Sequence, residues 1–86
     1  MQNFNSPNQP RFYIYYLDGE NREVWYTMNV GRTYNSSEMK SMVERIFREG
    51  FSYELTEPEY PIKKGIRHIS PNRITYIDYV EPNSNT

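Results

Sequence analysis

The sequence predicts a small α+β domain: a mostly antiparallel sheet, in the order ββα and then two or three strands, with one amphipathic helix across one face. Three observations carry this expectation. Two runs rich in aromatic and β-branched residues flank a strong turn signal, Asp18-Gly19-Glu20-Asn21. A single apolar stripe at helical spacing follows, and further alternating runs come after Gly50.

Residues 11–17 (RFYIYYL) read as the first strand and residues 23–30 (EVWYTMNV) as its return. Phe12, Ile14 and Tyr16 share one face; Val24, Tyr26, Met28 and Val30 share a face of the partner. These sets meet only if paired positions sum to an even number, as with Ile14 opposite Tyr26. That requires a loop of odd length with a left-handed residue near its end. Tyr13, Tyr15 and Trp25 then point to the opposite side.

Asn35 followed by Glu38 has the capping-box spacing and marks a helix start. Met39, Met42, Val43, Ile46 and Phe47 fall on one stripe, and Gly50 is the natural stop. Residues 51–56 (FSYELT) alternate, with Phe51, Tyr53 and Leu55 together. Glu57-Pro58-Glu59-Tyr60-Pro61 is expected as a turn, because proline removes ladder donors. Residues 62–69 read as a strand interrupted by a bulge at Gly65. Residues 74–80 (ITYIDYV) read as the last strand, with rings or branched chains on both faces that suit a central position. The folded domain is expected over residues 11–80. The polar stretches 1–10 and 81–86 are expected as flexible tails, since neither carries enough apolar area to offset the entropy of ordering.

Composition narrows the function classes. The 86 residues include 10 Lys+Arg, 11 Asp+Glu, one His and no Cys, for a formal net charge of -1. Hydrophobic residues are 36% and aromatics 16%, with nine Tyr, so the core must be built largely from rings. Without cysteine there is no disulfide framework, thiolate nucleophile or thiolate metal site, and His68 alone cannot make a zinc site. No metal or cofactor is therefore expected. Gly19, Gly31, Gly50 and Gly65 fit neither dinucleotide-binding nor P-loop spacing. His68 and Ser70 are close in sequence, but no nucleophile elbow frames the serine. Glu54, Glu57 and Glu59 cluster at a proline turn, where carboxylates are usually solvated rather than tuned for acid–base work. An enzyme is not expected.

No apolar run reaches the ~18 residues of a membrane span, so no membrane association is expected. The opening MQNFNSPNQP has neither a basic nor an apolar segment, which favours a cytoplasmic protein and discounts Asn35-Ser36-Ser37 as a glycosylation site.

Two surfaces stand out. Tyr13, Tyr15 and Trp25 cannot join the core that takes Phe12, Ile14 and Tyr16. Tyr and Trp favour protein interfaces, because they bury large area while keeping a polar tip. The competing explanation is a second face covered by the basic segment or by the N-terminal tail. From Tyr60 to Ile77 the chain carries Lys63, Lys64, Arg67 and Arg73 with no acidic residue, beside Tyr60 and Tyr76. That segment suits nucleic acid, a nucleotide or another phosphorylated small molecule. It equally suits an edge strand kept from aggregating by its charges, and a sequence pI near 5.8 weighs against a dedicated nucleic-acid binder.

With one amphipathic helix and no catalytic set, the chain resembles in type small phage and bacterial accessory proteins. The aromatic sheet face and the lack of a catalytic set lead to the expectation of a non-enzymatic protein-interaction module: an accessory or inhibitor protein that binds a larger protein partner, or self-associates as a homodimer through that face or an exposed edge strand. Binding of nucleic acid or a phosphorylated small molecule through residues 63–73 is the alternative expectation.

Overall fold

The computed structural model describes residues 9–57 and 63–82, with side chains at all of these except positions 56, 57 and 63. Five strands and one helix form an α+β domain: β1 (Arg11–Leu17), β2 (Glu23–Asn29), α1 (Ser36–Glu49), β3 (Phe51–Glu57), β4 (Lys63–Ile69) and β5 (Ile74–Val80), with a single 3-10 turn at Pro71–Arg73 before β5. All pairings are antiparallel, and the strands divide into a three-stranded sheet, β2-β1-β5, and the hairpin β3-β4. The tails expected over 1–10 and 81–86 fall largely outside the described residues, as does the turn expected at 58–61. Pro10, however, is buried, and its carbonyl accepts from Val30 N–H, continuing the β1–β2 ladder.

Period-two alternation makes β1 the centre. Its even positions, Phe12, Ile14 and Tyr16, are buried, Phe12 and Ile14 completely, while its odd positions face the other way. Ile14 pairs with Tyr26, as the alternation requires, and the loop Asp18–Arg22 has odd length. Asn21 takes the left-handed conformation, at φ 61°. The Asp18 carboxylate holds this loop by accepting from Glu20 N–H and Arg22 N–H at 2.8 and 2.9 Å.

Two expectations about the later strands are corrected. Among the described strands β5 lies at an edge, paired only with β1. Its two-sided apolar pattern fits an edge because its inner side chains enter the core while Tyr76 and Asp78 face outward. Gly65 causes no bulge, since the β3–β4 register runs without a shift from Phe51↔Ile69 to Glu57↔Lys63. The irregularity lies instead on β5, where Tyr15 pairs with Tyr76 and Tyr16 with Ile74, leaving Thr75 as an extra residue.

The core is a set of rings bridging the two sheets. Phe51 meets Tyr16 edge-on at 5.6 Å and Tyr26 at 5.4 Å between centroids, and Tyr53 stacks on Tyr26 at 4.9 Å. Each such contact contributes about 0.5–1.5 kcal/mol beyond area burial. The Tyr16 and Tyr53 hydroxyls lie 3.4 Å apart. Burial, followed by that contact, pushes the Tyr16 phenol up to about 12. Phe12 packs at the other end against Tyr34 and Tyr79, and the Tyr79 hydroxyl accepts from Tyr34 N–H.

α1 begins with both halves of the capping box: Asn35 Oδ1 accepts from Glu38 N–H at 2.8 Å, and Glu38 Oε1 accepts from Asn35 N–H at 3.0 Å. Its buried stripe is narrower than the spacing suggests. Ile46 is buried, with Met42 and Val43 packed beside it, but Phe47 is 40% exposed at the rim. The helix stops at Gly50, whose N–H reaches Ile46 O. A Cβ there would run into the backbone of Ile69, and φ is 78°, so glycine is required twice over.

Ile46→Asp is expected to unfold the domain, with a loss of ~4 kcal/mol or more from an unpaired buried charge. Lys40→Asp, on the exposed helix face, should change stability little. Equal melting temperatures for the two variants would contradict this packing.

Candidate functional site

The outer face of the sheet β2-β1-β5 is built by the odd residues of β1. Tyr15 pairs with Trp25 on one side and Tyr76 on the other, so three rings form a row across three strands. Tyr15 and Tyr76 stack at 4.3 Å between centroids with 17° between planes; Tyr15 and Trp25 lie at 6.3 Å and 42°. Trp25 is 62% exposed and Tyr76 46%. Tyr13, half-buried, lies one row away between Thr27 and Asp78. The three residues singled out by parity, Tyr13, Tyr15 and Trp25, are therefore gathered on one face.

Tyr76 belongs with them, rather than with the basic segment beside which it stands in sequence. The extra residue at Thr75 puts it there. Ile74 and Tyr76 have the same parity, yet Ile74 is buried and Tyr76 faces outward, because the bulge inverts the alternation between them. The signal available in the sequence was the spacing of Ile77 and Tyr79: with both inside, Tyr76 must be out.

Acidic groups border the row. Thr75 Oγ1 lies 3.1 Å from the Tyr15 carbonyl and 2.9 Å from Glu23 Oε2, so its one proton is shared between two acceptors and tethers Glu23 beside the rings. Asp78 lies opposite Tyr13. Partial desolvation, then the Glu23 carboxylate, with Tyr15 and Asp78 contributing, pushes the Tyr76 phenol above its ordinary value. Arg11, the one cation on this face among the described residues, sits two rows from Tyr15 between Asn29 and Val80, next to the row of Asp78.

The described basic residues are gathered only in part. Lys64 and Arg67 have opposite parity on β4: Lys64 shares the outward side with Ile66, which is 72% exposed, whereas Arg67 faces Tyr53. Of Lys63 only the backbone is described, opposite Glu57. Arg73 is turned toward the β1–β2 loop. Its guanidinium donates to Leu17 O, Asp18 O and Asn21 Oδ1, clamping the loop to the start of β5. Arg67, His68 and Arg73 line an open cleft of about 400 Å³ against Asp18 and Gly19, but these bonds to the loop already engage the Arg73 guanidinium.

His68 meets a serine other than the one near it in sequence: its Nδ1 lies 2.8 Å from Ser52 Oγ across the β3–β4 ladder, with both residues exposed. Among the described residues no carboxylate hydrogen-bonds His68, and no group of three or more His, Cys, Asp or Glu is placed to hold a metal ion. No described helix is long and apolar enough to cross a membrane. Comparison with known proteins finds no matching family model, no matching curated protein and no matching solved structure.

The corner that supports Glu23 should be pH-sensitive. Backbone donation from Arg22 and Glu20 holds the Asp18 carboxyl below the usual carboxylate range. A depressed folded-state value stabilises the fold above the unfolded-state value, and that stabilisation disappears as pH falls through the folded one. Asp18→Asn is therefore expected to lower the melting temperature at neutral pH, with the difference from wild type closing under acidic conditions. A difference independent of pH would show that the carboxylate charge contributes nothing.

Proposed function

We propose that the protein is a non-enzymatic interaction module that acts by binding another protein through the outer face of the β2-β1-β5 sheet. The observation that supports this is the exposed row Trp25–Tyr15–Tyr76 on a face that no described segment covers. A monomer gains nothing in stability from leaving an indole 62% exposed. Clustered Tyr and Trp side chains are the groups that most often dominate binding energy at protein interfaces. The three strands hold the rings in a fixed array, so little side-chain freedom remains to be lost on association.

The module is of the accessory or inhibitor kind: it occupies a surface on a larger protein, or pairs with a second copy of itself. Because Trp25 is the chain's single indole, its emission reports directly on that face. Free protein should emit as a solvated indole, and association should shift the emission to shorter wavelength. Trp25→Ala should weaken association by about 2 kcal/mol or more while leaving the melting temperature unchanged. Sedimentation of the purified protein, together with affinity capture from its native host, measures both forms of association. Undiminished association of the Trp25→Ala variant, or none by the wild type, would defeat the proposal.

A further inference from the structure

We propose that the segment received by this face is cationic: an arginine-bearing stretch of a partner protein, its guanidinium set against the Trp25–Tyr15–Tyr76 row and its charge met by Glu23 and Asp78. This rests on the reading of the face as a protein-docking surface and specifies the chemistry of its occupant.

Charge is the first argument. Among the described residues the face carries two carboxylates against one guanidinium, and the guanidinium, on Arg11, lies one row from Asp78 and two rows from the Trp25–Tyr15–Tyr76 row. Among the described residues neither Glu23 nor Asp78 is in an ion pair; Glu23 is held only by the Thr75 hydroxyl. After desolvation, the groups that raise the Tyr76 phenol are Glu23, Tyr15 and Asp78. Phosphates would be repelled by Glu23 and Asp78, which favours a cationic occupant over nucleic acid on this face. An arginine is attracted both by the ring faces and by the carboxylates.

The molecule already uses the same chemistry internally. The Arg32 guanidinium lies 4.5 Å from the Tyr34 ring centroid while donating to Glu38 Oε1 at 2.9 Å. A ring and a carboxylate together hold that guanidinium at the foot of α1. On the outer sheet face the rings and carboxylates are present, and the one described guanidinium, on Arg11, lies two rows from the Trp25–Tyr15–Tyr76 row. Arginine fits better than lysine, because a planar group can lie along a ring while its N–H fork reaches a carboxylate.

The test uses the full chain and three short threonine-rich peptides carrying arginine, uncharged citrulline or glutamate at alternate positions. Binding is followed by the Trp25 indole N–H resonance. The arginine peptide should shift it saturably, the citrulline peptide should bind at least about tenfold more weakly, and the glutamate peptide should not bind. The double variant Glu23→Gln, Asp78→Asn keeps the rings and the Thr75 hydrogen bond. It should melt like wild type yet bind the arginine peptide no better than the citrulline one. Equal affinity for arginine and citrulline peptides, or an unaffected double variant, would overturn the cationic assignment. If Trp25→Ala still abolished association with a protein partner, the docking reading itself would survive that result. Self-association through Trp25 that the double variant leaves intact would likewise overturn it, by showing a second copy as the occupant. Failure of all three peptides and of every protein to perturb Trp25 would remove both proposals together.

Discussion

Tyr15 pairs with Tyr76 and Tyr16 with Ile74, and this one-residue offset determines how the β2-β1-β5 sheet divides its side chains between core and solvent. Without it, Ile74 and Tyr76 would share a side. One of two costs would follow: a branched aliphatic chain left in water, or a phenol forced under α1 where Ile77 and Tyr79 already pack. Inserting Thr75 lets both residues go where their chemistry suits them. The same insertion directs the Thr75 hydroxyl across β1 to Glu23, so the device that completes the core also positions a carboxylate on the exposed face.

Features governed by neighbours in the chain were legible beforehand. Parity alone specified Ile14 opposite Tyr26 and placed Tyr13, Tyr15 and Trp25 together on the reverse side. Asn35, Glu38 and Gly50 marked the helix ends because capping is chemistry over three or four residues. What depended on distant partners was not legible. Nothing in ITYIDYV shows that it borders a strand more than sixty positions earlier, or that its first residues step out of register there. Phe47 satisfied the helical spacing but is left exposed, and no local pattern encodes how wide a stripe of the helix its distant partners cover.

The basic segment shows the same limit from the side of function. Lys63, Lys64, Arg67 and Arg73 are neighbours along the chain, but a strand sends Lys64 and Arg67 to opposite sides and the 3-10 turn directs Arg73 to a loop. Of the described side chains, Arg67 and Arg73 come to one cleft while Lys64 lies on the other side of β4. Tyr76 moved the opposite way, from the company of these cations to that of Tyr15 and Trp25. An aromatic face bordered by carboxylates is a different object from an aromatic strip bordered by lysines, and the fold is what separates the two.

The central strand is the first to appear in the chain, and one of its two partners is the last. Arg11 pairs with Val80 and Phe12 with Tyr79, so the sheet closes only after nearly the whole chain has been gathered. Bringing such distant segments together carries the loop-closure entropy that slows folding. The hairpin β1–β2, the helix and the hairpin β3–β4 can each form from local contacts, but until β5 arrives β1 presents an open edge with rings on both sides. That species is the one most prone to pair with another chain. The time for which that edge stays open is set by how quickly β5 reaches β1, and the stability of the finished fold does not shorten it.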